Sequence, residues 1–180
     1  LKSPSVTMPF NGLTQEAYAQ KMIQEYRAAG VAPARVFPQS FNQADVLYWI
    51  RNEPAFGKRA VYLDDANAPA DLPSFSELLG YKRMGINIVA PPLFALLDVS
   101  GETIVPSQYA RDAKAAGLDI ITWTLERSGV LADGNNGFYF QTFDSAVARE
   151  GDVMRVLDVL AREVGILGIF TDWPATVTFF

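Results

Sequence analysis

Two stretches of this chain place reactive or binding side chains where an α/β protein presents a site. In Ile120-Ile121-Thr122-Trp123-Thr124-Leu125-Glu126, a run rich in β-branched residues ends in a Trp with hydroxyls and a carboxylate beside it. Gly168-Ile169-Phe170-Thr171-Asp172-Trp173-Pro174 repeats the plan: an apolar strand, then Thr-Asp-Trp, then a Pro suited to a first helical turn. Asp64 and Asp65 form a third candidate, a carboxylate pair at the end of an apolar run. The carboxylates suit acid/base or metal chemistry, and the indoles suit an apolar platform. Histidine is absent and so is cysteine. The side chain best matched to proton transfer near neutral pH is therefore missing, as are thiolate nucleophiles, thiolate metal sites and disulfides. Any proton transfer within the chain falls to carboxylates, Lys or Tyr.

These residues need elements to hold them. The 180 residues are 49% hydrophobic and 19% charged, an ordinary composition for one domain with a sizeable core. A net charge of -5, with scattered Lys and Arg, argues against a nucleic-acid partner, which would call for a basic face. No apolar run approaches the ~18 residues of a membrane span. The start, Leu1-Lys2-Ser3-Pro4, does not resemble a signal peptide and has no initiator Met.

Helical spacing and caps predict a helix opening at Thr14 and ending at Gly30, and another capped by Asn42 with Val46, Leu47, Trp49 and Ile50 on its apolar face. A third begins at Ser74 or Ser76 and runs to Gly85, and a short apolar one covers residues 93–97. Ser107 caps a helix to Ala116, and residues 152–164 form the clearest amphipathic helix, closed by Gly165. Strands are expected at 35–40, 59–63, 86–90, 119–124 and 166–170. Residues 128–142, Gly- and Asn-rich around Phe138-Tyr139-Phe140, read as the longest irregular region, with the aromatics forming either a substrate lid or a small hydrophobic hairpin.

Strands alternating in single file with helices imply parallel strands joined by right-handed crossovers. No glycine-rich dinucleotide fingerprint follows a strand, which disfavours a nucleotide-binding fold. A (β/α) barrel fits better, although an eight-stranded barrel takes about 250 residues. The expected architecture is α/β, the C-terminal five-eighths of a (β/α)8 TIM-type barrel, with residues 1–180 as a single incomplete domain whose first strands are absent.

Four motifs in order resemble the glycerophosphodiester phosphodiesterases, nearest their bacterial periplasmic-type branch. Leu1-Lys2 resembles the tail of the family's Glu-aliphatic-Lys strand, and Gln39-Ser40-Phe41 its Ser-Phe strand end. Ile121-Thr122-Trp123-Thr124-Leu125 is similar to its Trp-Thr-Val-Asn strand, and residues 168–174 to its Gly-aliphatic-aliphatic-Thr-Asp-aromatic-Pro ending. The resemblance implies metal-dependent hydrolysis of a glycerophosphodiester, the small-molecule substrate, to glycerol 3-phosphate and an alcohol. It implies a divalent cofactor, calcium or magnesium, whose ligands lie mainly outside this chain, so no metal ligand is assigned within it. The catalytic histidines are likewise expected in a missing N-terminal part of the same protein, leaving this chain inactive alone. It further implies a periplasmic or secreted location.

Within that resemblance Lys2 is the catalytic candidate, an ammonium able to stabilise an anionic phosphoryl group, against the alternative of a solvated terminal lysine. Trp123, Phe41 and Ser40 are the substrate-binding candidates: Trp123 as a platform for the glycerol moiety or a core Trp, Phe41 with the same choice, Ser40 as a contact or a turn cap. Asp172 reads as a helix N-cap more than a substrate ligand, and Asp64 and Asp65 as turn caps more than metal ligands. Glu126 departs from the family's Asn and has no assigned role. Two other readings stay open: a related barrel phospholipase, phosphatidylinositol-specific or of the sphingomyelin-cleaving D type, and a non-catalytic barrel domain retained for binding.

Overall fold

The computed structural model of this chain describes residues 7–126, 130–133 and 137–180. Lys2 lies outside them. Five short strands form one parallel sheet: β1 (Gln39–Ser40), β2 (Val61–Leu63), β3 (Ile88–Ala90), β6 (Asp119–Thr122) and β7 (Gly168–Ile169). Their spatial order is their chain order, so each crossover carries the chain one strand onward. Register pairs Ser40 with Tyr62, Tyr62 with Val89, Val89 with Ile120, and Thr122 with Ile169.

The crossovers are helical because their caps and apolar spacing make them so. α1 (Gln15–Ala28) is capped by the Thr14 hydroxyl, which accepts the Ala17 amide, and α2 (Gln43–Asn52) by the Asn42 carbonyl accepting from Ala44. A short α3 (Pro54–Gly57) follows. α4 (Phe75–Arg83) opens with a Ser74/Glu77 capping box, and α5 (Gln108–Ala115) with Ser107. At Gly57 the chain passes so close to α2 that a Cβ would sit 2.5 Å from the Trp49 carbonyl oxygen.

Side-chain alternation along the strands divides the sheet into two faces. Tyr62, Val89, Ile120 and Ile169 pack with the helices in the main core, around fully buried Trp49, Phe56 and Phe94. Val61, Leu63, Ile88 and Ala90 form a second, smaller cluster with Phe37, Phe41, Ile121 and Trp123 on the face turned away from them.

Several elements differ from the sequence reading. The strand expected over 35–40 is confined to Gln39–Ser40. Residues Pro33–Arg35 instead make a 3-10 turn, and Pro38 supplies no donor to a ladder. The short apolar helix expected at 93–97 is a 3-10 turn over Leu93–Ala95 that runs into an antiparallel hairpin, β4 (Leu97–Ser100) and β5 (Thr103–Pro106). Its two-residue loop places Gly101 at φ 62°, a conformation glycine adopts without steric cost. The long amphipathic helix is α7 (Val153–Asp158) continuing as a π-helical turn (Val159–Val164), closed by left-handed Gly165. The Phe138-Tyr139-Phe140 patch is neither a hairpin nor irregular: it is α6 (Gly137–Phe140). Finally, α8 (Pro174–Phe179) has Trp173, not Asp172, at its cap position, without a capping side chain.

Candidate functional site

Phe41 and Trp123 are the first residues past β1 and β6, so both stand at the carboxyl ends of parallel strands, the usual place for ligands in such sheets. Their rings meet edge to face, centroids 5.9 Å apart and planes at 89°. Tyr139 of α6 closes on Trp123 from another direction, at 5.7 Å and 74°. Phe138 in turn meets Tyr139 at 5.1 Å and Phe94 at 5.2 Å, which anchors α6 to the main core. Three aromatic rings from distant parts of the chain thus make one half-buried platform.

The end of β3 orients the indole. Trp123 Nε1 donates to the Ala90 carbonyl at 2.9 Å, and the same carbonyl accepts the Asp64 amide at 2.9 Å. A carbonyl has two lone pairs, and here they tie the ends of β2 and β6 to β3. The Trp123 carbonyl accepts the Leu93 amide at 2.7 Å, and Thr122 Oγ1 donates to the Pro91 carbonyl at 3.0 Å. With its polar edge engaged, the ring offers a ligand mainly apolar surface.

Ser40 is wholly buried. Its hydroxyl donates to Asp45 Oδ2 at 2.8 Å and accepts the Asn42 amide at 3.0 Å, while Gln15 Nε2 donates to both oxygens of Asp45. Those contacts give Ser40 the work of a turn cap that fixes the chain leaving β1, and so the Phe41 ring beside it. Asp64 also caps a turn, Oδ1 accepting the Ala66 amide at 2.9 Å. Burial pushes its carboxyl above the usual aspartate range, against that amide bond and with help from Asp65 and Asp71. Behind it, Tyr62 and Tyr81 meet edge-on at 5.2 Å, and burial raises both phenols, Tyr81 to about 12.

Glu126, unassigned from sequence, joins the two Trp-bearing strand ends. It accepts from the Thr171 hydroxyl and, at 3.1 Å, from the Asp172 amide, while Thr171 Oγ1 accepts the Trp173 amide at 3.1 Å. The only hint in the sequence was its place three residues beyond Trp123. Tyr139 could be found only as one of three aromatics in a glycine-rich stretch.

Among the described residues no group of three or more Asp, Glu, His or Cys side chains is placed to hold a metal ion. The divalent metal implied by the resemblance therefore finds no fitting ligand set among them. No helix of the described residues is long and apolar enough to cross a membrane.

No family model matches the chain. In fold it is similar to a glycerophosphodiester phosphodiesterase from Parabacteroides distasonis, with a TM-score of 0.55 at 16% identity over 99% of this chain. The similarity covers 53% of that protein, so the chain spans about half its length. In sequence it is 44% identical over 189 residues to the "Extracellular protein" of Arthroderma benhamiae, an alignment spanning 100% of this chain and 76% of that relative. At that identity and coverage, the chain belongs to the same family as the Arthroderma benhamiae extracellular protein.

Proposed function

We propose that this chain forms the substrate-binding wall of a secreted, metal-dependent phosphodiesterase that hydrolyses glycerophosphodiesters to glycerol 3-phosphate and an alcohol. The observation that carries the reading is the Phe41–Trp123–Tyr139 platform at the carboxyl ends of parallel strands. An apolar ring surface with its indole N–H already engaged suits the C–H faces of a glycerol moiety. The four ordered motifs and a fold shared with a glycerophosphodiester phosphodiesterase support the same substrate class. A secreted location rests on the name of the fungal relative.

Trp123 and Phe41 contact the glycerol, Ser40 positions Phe41, and Lys2 stabilises the anionic phosphoryl group. The acid, base and metal ligands are assigned to residues outside this segment on the strength of the family resemblance.

The test has two parts. Glycerol 3-phosphate should quench or shift the tryptophan fluorescence of the chain, and the change should vanish in Trp123→Phe. Incubation of the chain alone with glycerophosphocholine and calcium or magnesium should release no glycerol 3-phosphate. Turnover under those conditions would sink the assignment of acid and base elsewhere, and unaltered glycerol 3-phosphate binding in Trp123→Phe would sink the platform.

A further inference from the structure

Cations that look scattered in the sequence are gathered by the fold at one end of the sheet. Arg35 closes the 3-10 turn before β1, Lys58 and Arg59 lead into β2, Arg51 lies in the last turn of α2, and Lys82 and Arg83 lie in that of α4. Crossover helices run back against the strands, so all six stand at the amino ends of β1, β2 and β3, opposite the platform. Contacts join them into one surface. The Arg59 guanidinium lies 3.8 Å from the centre of the Phe37 ring, two residues past Arg35, and α3 packs on the turn that holds Arg35. A Cβ on Gly85, just past α4, would meet Ile50 Cγ2 of α2 at 3.3 Å, which brings Arg83 beside Arg51.

This charge is not cancelled locally. Glu53 is the one carboxylate in residues 33–37, 50–59 and 81–87, and it is buried against Arg27 and Gln20. None of the six cations forms an ion pair among the described residues, and Arg59 Nε is buried without an acceptor there. Complementing a helix macrodipole accounts for Arg51, Lys82 and Arg83, whereas Arg35 and Arg59 stand outside any α-helix. Exposed acids such as Glu16, Asp65, Asp71, Glu77 and Glu150 lie in first turns or in loops after strands, at the other end. A chain of net charge -5 therefore carries one positive end.

The chemistry of that end narrows its partner. Among exposed large apolar residues, the same segments supply only Met84. A bilayer-binding face inserts Trp, Phe or Leu side chains, and a single-stranded nucleic acid stacks its bases on exposed rings. A charged face without either suits a hydrated polymer whose negative groups lie on its outside.

We propose that the amino end of the sheet is a docking surface for an anionic polysaccharide, which tethers the protein and leaves the platform end open to solutes. No platform residue takes part, so the inference stands independently of the phosphodiesterase reading.

Fluorescence anisotropy of a labelled heparin decasaccharide, titrated with the protein, supplies the test. Expected is binding that weakens about tenfold or more between roughly 50 and 200 mM salt, because each engaged cation displaces counterions from the polymer. Lys58→Ala combined with Arg83→Ala should weaken it about tenfold, whereas Lys21→Ala combined with Arg149→Ala, an equal change in net charge away from this end, should weaken it less than about twofold. All four side chains are exposed, so the variants probe charge and not folding. No binding, binding indifferent to salt, or equal losses in the two variant pairs would overturn the proposal. Tighter binding to phosphatidylserine vesicles or to duplex DNA than to the decasaccharide would overturn it as well, assigning the face to a lipid surface or to nucleic acid.

Discussion

The Phe41 and Trp123 rings meet edge to face at 5.9 Å although they stand on strands separated by two others in the sheet. Leu63 and Ala90, at the ends of β2 and β3, belong to the same apolar cluster as the two rings.

Replacement of Trp123 by Ala should therefore disturb more than one contact. It removes the ring between Phe41 and Tyr139 and leaves the Ala90 carbonyl with one partner fewer. The ring is half-buried, so the expected loss is about 2 kcal/mol, below the range for a fully buried aromatic. Denaturant titration measures it, and a loss under 0.5 kcal/mol, about the size of an ordinary surface substitution, would show that the platform is not a packed unit.

Asp64 predicts a pH dependence whose sign follows from burial. Its folded pKa lies above the ordinary value of 3.8, so the folded chain holds this proton more tightly than the unfolded chain does. As pH rises from 3.8 through the raised folded value, stability from this group falls, and it stays lost at neutral pH. Asp64→Asn keeps an oxygen for the Ala66 amide and removes the titration. The variant should melt higher than the parent at pH 7, with the difference shrinking toward pH 3; a constant difference across that range would refute the assignment.

Glu53 should prove easier to remove than its partner Arg27. Its buried carboxylate accepts from both terminal nitrogens of Arg27 and, at 2.7 Å, from Gln20 Nε2, fastening α1 to the end of α2. Arg27→Met strands a carboxylate whose side chain is only 6% exposed and should cost about 2–3 kcal/mol, whereas Glu53→Ala leaves Arg27, 53% exposed, to be solvated by water and should cost about 1 kcal/mol. Equal losses in chemical denaturation would contradict this asymmetry.

Gly57→Ala tests the close backbone approach of α3 to α2. A methyl at 2.5 Å from the Trp49 carbonyl oxygen and 2.6 Å from Ile50 Cα meets backbone, which cannot rotate aside. The substitution should lose roughly 2–3 kcal/mol through overpacking, read as a lowered melting temperature. An unchanged melt would mean that α3 shifts freely against α2.

Much of this architecture was legible in local patterns. Thr14, Asn42, Ser74 and Ser107 each cap the helix expected of them, because a cap is set by residues within one turn. The parallel alternation was visible for a similar reason, since crossover helices leave strands as short apolar runs between amphipathic ones. The β4–β5 hairpin was not, because strands of four residues joined by Gly101-Glu102 lack the length for periodicity to stand out. Asp172 was misread because Trp173 intervenes before Pro174, shifting the cap by one position.

The sequence by itself determined which residue types were available, where α1, α2, α4 and α5 begin, and that Trp123 and Phe41 stand at strand ends. Only the tertiary structure decided that their rings touch, that Tyr139 arrives on a helix to join them, that Ser40 spends its hydroxyl on Asp45, and that Glu126 ties β6 to β7. The physical reason is range. Capping and periodicity act over a few residues, whereas these contacts join segments tens of residues apart, and their partners are chosen by strand order and packing that no local pattern encodes.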